Sequence, residues 1–190
     1  MAKPSRIAQP DRKGDRARAV AWAQDLHRRT DWILLDTETT GLELTDQIIQ
    51  VGVMDCSGKP ILDNVLIRPT IPIPPKSTTF HHITNAMVKD APGFDVVWPA
   101  IKELLTGYEV VIYNAAFDTR QITQTAKIYG IKVPAYRYSC AMLNYAAFLG
   151  EWNDYRQSYN WPKLTGGDHS ATGDCKATLE VLRKIWNTRE

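Results

Sequence analysis

Four apolar residues in a row, Trp32-Ile33-Leu34-Leu35, run straight into Asp36-Thr37-Glu38. An apolar run without alternation marks a strand buried on both faces. Such a strand needs a layer packed against each side, so this short segment commits the chain to a covered sheet. Its charged end matters as much. Side chains at i and i+2 of a strand project to one face, so Asp36 and Glu38 leave the buried run together. Two neighbouring carboxylates repel each other unless a cation neutralises them, and an oxygen-only pair suits Mg²⁺ or Mn²⁺ better than zinc. Taken alone, a D-x-E tripeptide is common, and a Glu38 that turns outward at the strand end is the ordinary alternative.

The pattern on either side completes a fold class. Residues 15–29 place Ala19, Trp22, Ala23 and Leu26 on one face at spacings of three and four, which predicts an amphipathic helix packed on the domain. After the first strand, Thr39-Thr40-Gly41 supplies a turn. Residues 47–56 and 61–67 read as two more strands joined by Ser57-Gly58, which makes this part of the sheet antiparallel. Residues 68–75 are proline-rich and read as an extended loop. A helical turn capped by Thr84 follows over residues 84–88. Asp95 is expected to cap a helix running through Ile101 to Gly107. Residues 110–113 form a fourth strand, 117–129 a helix, 136–140 a fifth strand, and 141–148 and 172–186 two helices. The expectation is an α/β mixed five-stranded sheet with helices on both faces.

At 190 residues the chain is long enough for one domain with a real core and short for two. Its 44% apolar and 23% charged content excludes global disorder. Charge is unevenly spread. Residues 1–30 carry eight basic and three acidic side chains, leaving 15 basic and 18 acidic in residues 31–190. The division expected is therefore a basic N-terminal extension over 1–30 and a main domain over 31–190. The extension can lie along a phosphate backbone, meet a protein partner, or simply be solvated. Cys56, Cys140 and Cys175 lie far apart, which fits reduced thiols in the cytoplasm. No apolar run has the length of a membrane span, and the start lacks a signal-peptide core.

Two more stretches carry chemistry. Asn114-Ala115-Ala116-Phe117-Asp118 follows the fourth strand at the kind of strand end where ligand crevices form, with Asp118 in the first turn of a helix. A helix-start acid is the plain alternative there. Gly166-Gly167-Asp168-His169-Ser170-Ala171-Thr172-Gly173-Asp174 places a histidine on an adaptable loop and a carboxylate near the start of the last helix. Histidine accepts a proton from water near neutral pH.

Together and in this order, these stretches resemble the exonuclease superfamily with an Asp-Glu-Asp-Asp-His (DEDDh) site. That superfamily is typified by the proofreading epsilon subunit of bacterial DNA polymerase III and includes the ribonuclease T branch. The matching text is Leu35-Asp36-Thr37-Glu38-Thr39-Thr40-Gly41-Leu42, then Asn114 to Asp118, then His169 to Asp174, within residues 31–187. Phe80-His81-His82-Ile83-Thr84 is similar to the family's His-Gly-Ile-Thr segment, with His82 in the glycine position. The resemblance implies a ribonuclease H-like fold and a 3′–5′ exonuclease acting on single-stranded DNA or RNA ends, DNA favoured, with nucleoside 5′-monophosphates as product. It implies two divalent metal ions, Mg²⁺ or Mn²⁺. Asp36 would bridge both, Glu38 and Asp174 would complete one site, Asp118 would hold the second, and His169 would deprotonate water. Thr39, Thr40, Gly41, Leu42, His82, Ile83 and Asn114 would contact substrate. The alternatives are a proofreading-type or nucleic-acid-binding subunit dependent on a partner protein, and an inactive scaffold, which has no use for mutually repelling carboxylates.

One segment outside these motifs stands out. Trp152, Tyr155, Tyr159 and Trp161 are interleaved with Arg156, a composition suited either to stacking on single-stranded nucleic acid or to packing the segment onto the body.

Overall fold

A computed structural model describes residues 10–189; Lys3 and Arg6 of the basic extension lie outside the described residues. The buried run is the centre of a five-stranded sheet. Strand β1 (Trp32–Thr39) continues through the acidic residues. It pairs antiparallel with β2 (Ile48–Asp55), and β2 pairs antiparallel with β3 (Pro60–Leu66). On its other side β1 pairs parallel with β4 (Glu109–Ile112), and β4 pairs parallel with β5 (Tyr138–Cys140). The order is β3-β2-β1-β4-β5.

Strand parity divides the core. Trp32 and Leu34 face α1 (Arg12–Arg28), α6 (Ala141–Leu149) and α7 (Ala171–Trp186). Ile33 and Leu35 face α4 (Phe94–Gly107) and α5 (Ala115–Ile128). The sheet is thus covered on both sides, as the unbroken apolar run requires. Two short helices, α2 (Pro75–His81) and α3 (Asn85–Val88), flank a small third core of Ile49, Ile73, Ile83 and Val88.

Local differences from expectation have local causes. Helix α4 is preceded by Gly93 at its N-cap position, and Asp95 lies in the first turn without capping it. Residues 75–81, whose first member reads as loop, are helical because Pro75 occupies the first turn, where a missing N–H costs nothing. Helix α1 begins before residue 15, since the Asp11 carboxylate accepts the Gly14 N–H at 3.0 Å. The helix then packs on α7 and α6: His27 stacks on Trp186 at 4.7 Å, and the Arg16 guanidinium sits 4.0 Å over the Phe148 ring. Among the described residues no helix is long and apolar enough to cross a membrane.

The pairing of β1 with β4 ends at Leu34 and Val111, whereas its pairing with β2 continues through Asp36–Gly52, Thr37–Val51 and Glu38–Gln50. The last residues of β1 therefore overrun β4 and leave one edge free.

Candidate active site

Glycine at one position lets the last helix reach β1. A Cβ on Gly52, the partner of Asp36, would lie 2.5 Å from both Ala171 C and Thr172 N, so the start of α7 rests directly on β2. Three contacts hold it there. Gln50 Oε1 accepts the Ala171 N–H at 2.9 Å. Thr172 N–H donates to Asn64 Oδ1 at 2.8 Å, and Asn64 N–H donates to Thr172 Oγ1 at 3.0 Å. Ser170 caps the helix by accepting the Gly173 N–H at 3.1 Å. Thus seated, Asp174 meets the Asp36 and Glu38 pair: one carboxylate oxygen from each lies within 4.8 Å of the others.

Asp118 arrives from the opposite layer. Helix α5 packs on the Thr37 side of the sheet, and the free edge of β1 lets its first turn approach the acids. Thr37 Oγ1 donates to Asp118 Oδ1 at 2.7 Å, and Asp118 is only 3% exposed. Burial raises the Asp36 pKa well above the carboxylate range, and repulsion from Asp118, Glu38 and Asp174 adds to it. Burial likewise lifts Glu38 to about 8, with Asp174 and Asp118 contributing. Asp118 rises to about 7, where burial outweighs the Thr37 hydroxyl. Burial also raises Asp174, opposed by the His169 N–H. Among the described residues no Lys, Arg or His forms an ion pair with any of the four. Four un-neutralised carboxylates in a partly dry site are a donor set that fits hard divalent cations.

His169 is exposed on the loop before α7, in left-handed backbone with φ +58°. Its N–H donates to Asp174 Oδ1 at 3.3 Å, and its ring meets Phe80 edge-on at 6.5 Å. Asp168, absent from the expected set, organises this loop by accepting the Ser170 N–H at 3.0 Å and its hydroxyl at 2.7 Å.

A cleft of about 650 Å³ opens beside Glu38, between residues 39–46 and α2. Thr39, Thr40, Gly41 and Leu42 line it. The two threonine hydroxyls are turned to internal use: Thr39 donates to Gly41 O at 2.7 Å, and Thr40 to Asp46 Oδ1 at 2.6 Å. Leu42 is 72% exposed at the rim. His82, Ile83 and Asn114 do not line this cleft. His82 is an exposed left-handed cap on α2 (φ +60°), which is the conformation that suits glycine and accounts for the family's residue there. Ile83 is buried in the small third core, and Asn114 is exposed before α5. Lys76, Ser77, Phe80 and His81 of α2 and Phe117 of α5, outside the expected set, line the cleft as well. Pro75, at home both in a loop and in the first turn of a helix, leaves α2 ambiguous in the sequence. Burial lowers the His81 pKa; its Nδ1 accepts the Ile83 N–H at 3.0 Å, leaving Nε2 without a partner among the described residues.

The aromatic segment has two kinds of side chain. Strands β6 (Trp152–Asn153) and β7 (Ser158–Tyr159) form a small hairpin. Tyr159 packs edge-on against Trp152 at 5.2 Å and donates to Asp15 Oδ2 at 2.6 Å, which ties the hairpin to α1. Tyr155 is 97% exposed at the tip.

Comparison with known proteins gives this geometry a family. The RNase_T model, described as an exonuclease, matches residues 33–182. An uncharacterized exonuclease, CP81 of Escherichia phage 186, is 38% identical over 182 residues, covering 87% of this chain and 90% of that protein. The PolC-type DNA polymerase III of Caldanaerobacter subterraneus is 32% identical over 161 residues; the match covers 82% of this chain but only 11% of the polymerase. Among solved structures, Exonuclease X in complex with 5′ overhanging duplex DNA superposes with a TM-score of 0.58 at 28% identity, covering 82% of this chain and 91% of that one.

Proposed function

The chain belongs to the RNase_T family of exonucleases, within the DEDDh superfamily, and from that premise we propose that it removes nucleotides from 3′ ends of single-stranded nucleic acid, DNA in preference to RNA. The observation that carries this reading is the convergence of Asp36, Glu38 and Asp174 within 4.8 Å, with Asp118 held beside them by Thr37. In this reading Asp36, Glu38 and Asp174 would hold one divalent cation, and Asp36 and Asp118 would hold a second. When bound, Mg²⁺ or Mn²⁺ would neutralise the acids and the phosphodiester and stabilise the attacking and leaving oxygens.

The chain's own residues supply the rest. The exposed His169 imidazole takes a proton from the attacking water. Oxygen from that water bonds to phosphorus, and the bond to the 3′ oxygen breaks. The 3′ oxygen takes up a proton and stays on the shortened strand, while a nucleoside 5′-monophosphate leaves. Phe80, Phe117 and Leu42 give the cleft apolar surfaces against which a terminal base can rest. The DNA-bound structure of Exonuclease X and the similarity to DNA polymerases support DNA as substrate.

The test is a purified full chain with Mg²⁺ on labelled DNA and RNA strands, with products separated chromatographically. Stepwise shortening and release of 5′-monophosphates are expected. Asp36→Ala and EDTA abolish the reaction, and His169→Ala lowers the rate by about 10²–10⁴. Unchanged turnover in Asp36→Ala contradicts the assignment. Shortening by the chain alone also argues against a subunit that needs a partner.

A further inference from the structure

The outer face of α5 bears two grooves that no step of the proposed reaction uses. One, of about 910 Å³, runs from residues 44–45 over Arg120 to Lys127. The other, of about 780 Å³, runs from Lys127 past Lys132 to Tyr136 and Tyr138. Thr119, Thr123 and Lys127 line both, and Thr45 is shared with the cleft beside Glu38. The first groove therefore adjoins the cleft at Thr45, and the row of Thr119, Thr123 and Lys127 along α5 stands between the two grooves. The second groove reaches Thr119, next to Asp118 in the chain. Tyr136 also lies near that carboxylate: burial holds its phenol up at about 12, and Tyr138 and Asp118 push the same way.

The lining of the two grooves contrasts with the rest of the body. Residues 31–190 carry more acids than bases, yet the two grooves are lined by Arg120, Lys127 and Lys132 and by no Asp or Glu. Among the described residues none of these three cations forms an ion pair. Lys127 and Lys132 are exposed, and Tyr138 is 54% exposed with its ring 5.8 Å from that of Tyr136. Unpaired cations beside a tilted pair of tyrosines, with no acid lining either groove, match a flexible polyanion whose units have flat faces. Arg120 links the first groove to the cleft wall, donating from Nη2 to Leu42 O at 3.2 Å while lying 5.5 Å over the Phe117 ring.

We infer that the grooves over α5 are the track for the strand upstream of the terminal nucleotide, with Lys127 and Lys132 on its phosphates and Tyr138 against a base. This rests on the exonuclease reading of the adjoining cleft. It makes the lysines affinity residues for long strands only, since a dinucleotide does not extend beyond the cleft.

The double variant Lys127→Ala/Lys132→Ala separates the two ideas, with Lys127→Arg/Lys132→Arg as the charge-preserving control. Binding of a fluorescein-labelled oligothymidylate is measured by anisotropy in EDTA at several salt concentrations, and hydrolysis of a dinucleotide is measured with Mg²⁺. The expected result is about a tenfold or greater loss of oligothymidylate affinity and a salt dependence shallower by about 1.4 log units per log unit, from two phosphate contacts at about 0.7 each. Dinucleotide hydrolysis stays at the wild-type rate, and the arginine variant restores affinity. Unchanged affinity and slope overturn the proposal, as does dinucleotide hydrolysis falling in step with affinity, which would place the lysines in the cleft. A wild-type chain that hydrolyses neither substrate refutes the exonuclease reading instead, and the anisotropy series still decides the track.

Discussion

Thr37→Val is the most informative single change. It replaces a hydroxyl by a methyl at nearly constant volume, on a side chain buried between β1 and α5. What disappears is one hydrogen bond to Asp118 Oδ1 at 2.7 Å. A hydrogen bond to a charged group contributes about 1.5–3 kcal/mol. At 1.36 kcal/mol per pK unit, ionised Asp118 becomes harder to form by about one to two units. The hydroxyl stabilises the carboxylate and so lowers its pKa; without it the value climbs further above about 7. Two effects follow. The acid limb of the pH–rate profile moves to higher pH. The cation that depends on Asp118 binds about ten- to a hundredfold more weakly, while the site of Asp36, Glu38 and Asp174 is spared. Dinucleotide hydrolysis titrated with Mg²⁺ at several pH values, together with Mn²⁺ calorimetry, reads both. Thr37→Ser keeps the donor and restores both. An unchanged Mg²⁺ requirement in the valine variant, or a serine variant that behaves like valine, would refute the reasoning.

Three further outcomes are expected. Gly52→Ala pushes a methyl into the backbone of Ala171 and Thr172, so α7 shifts and Asp174 with it. Overpacking costs about 1–3 kcal/mol, and a lower melting temperature with a parallel loss of activity is expected; a variant normal in both counts against this seat for α7. In EDTA the raised acids make stability depend on pH. Glu38 is lifted from 4.5 to about 8, so the folded state holds its proton more tightly than the unfolded chain. That contribution is fully present below pH 4.5 and is lost as pH rises through 8. Urea melts across this window should show the decline, and Mg²⁺ should recover most at the alkaline end; a flat metal-free profile contradicts it. Tyr159→Phe removes the bond to Asp15 at about 0.5–1.5 kcal/mol and should speed amide exchange in β6, β7 and the first turn of α1, leaving dinucleotide hydrolysis unchanged. Unchanged exchange would mean that the hairpin is held by Trp152 alone.

The parts of the fold legible in the sequence are those coded by neighbours along the chain. Ser57-Gly58 announces the turn between β2 and β3, the switch to four consecutive apolar residues announces β1, and Gly107 ends α4 where the pattern stops. Helix α2 was hidden because Pro75 serves equally as a loop residue and as the first residue of a helix, and only tertiary context decides. The start of α4 was ambiguous in a different way, because an acid such as Asp95 suits the first turn of a helix as well as its cap, and Gly93 takes the cap position. His81 and His82 show its consequence for the cleft. As loop residues they are interchangeable, but at the end of a helix one is buried in the cleft wall and the other becomes the exposed cap.

The acidic centre was legible for another reason, and only in part. Strand parity alone puts Asp36 and Glu38 on one face, and on that face α7 supplies Asp174. Parity also puts Thr37 and the whole of α5 on the other face, so pattern reasoning by itself separates Asp118 from its partners. What reunites them is the length of β4. The strand has four residues and leaves β1 at Leu34–Val111, so the acidic end of β1 stands clear of any neighbour on that side. A carboxylate from each covering layer can meet only at such an edge, because within a continuous sheet the backbone lies between them. The short β4 is therefore a requirement of the site. Extending β4 by even two paired residues would close the edge and separate Asp118 from Asp36, leaving three acids together where the proposed reaction uses four.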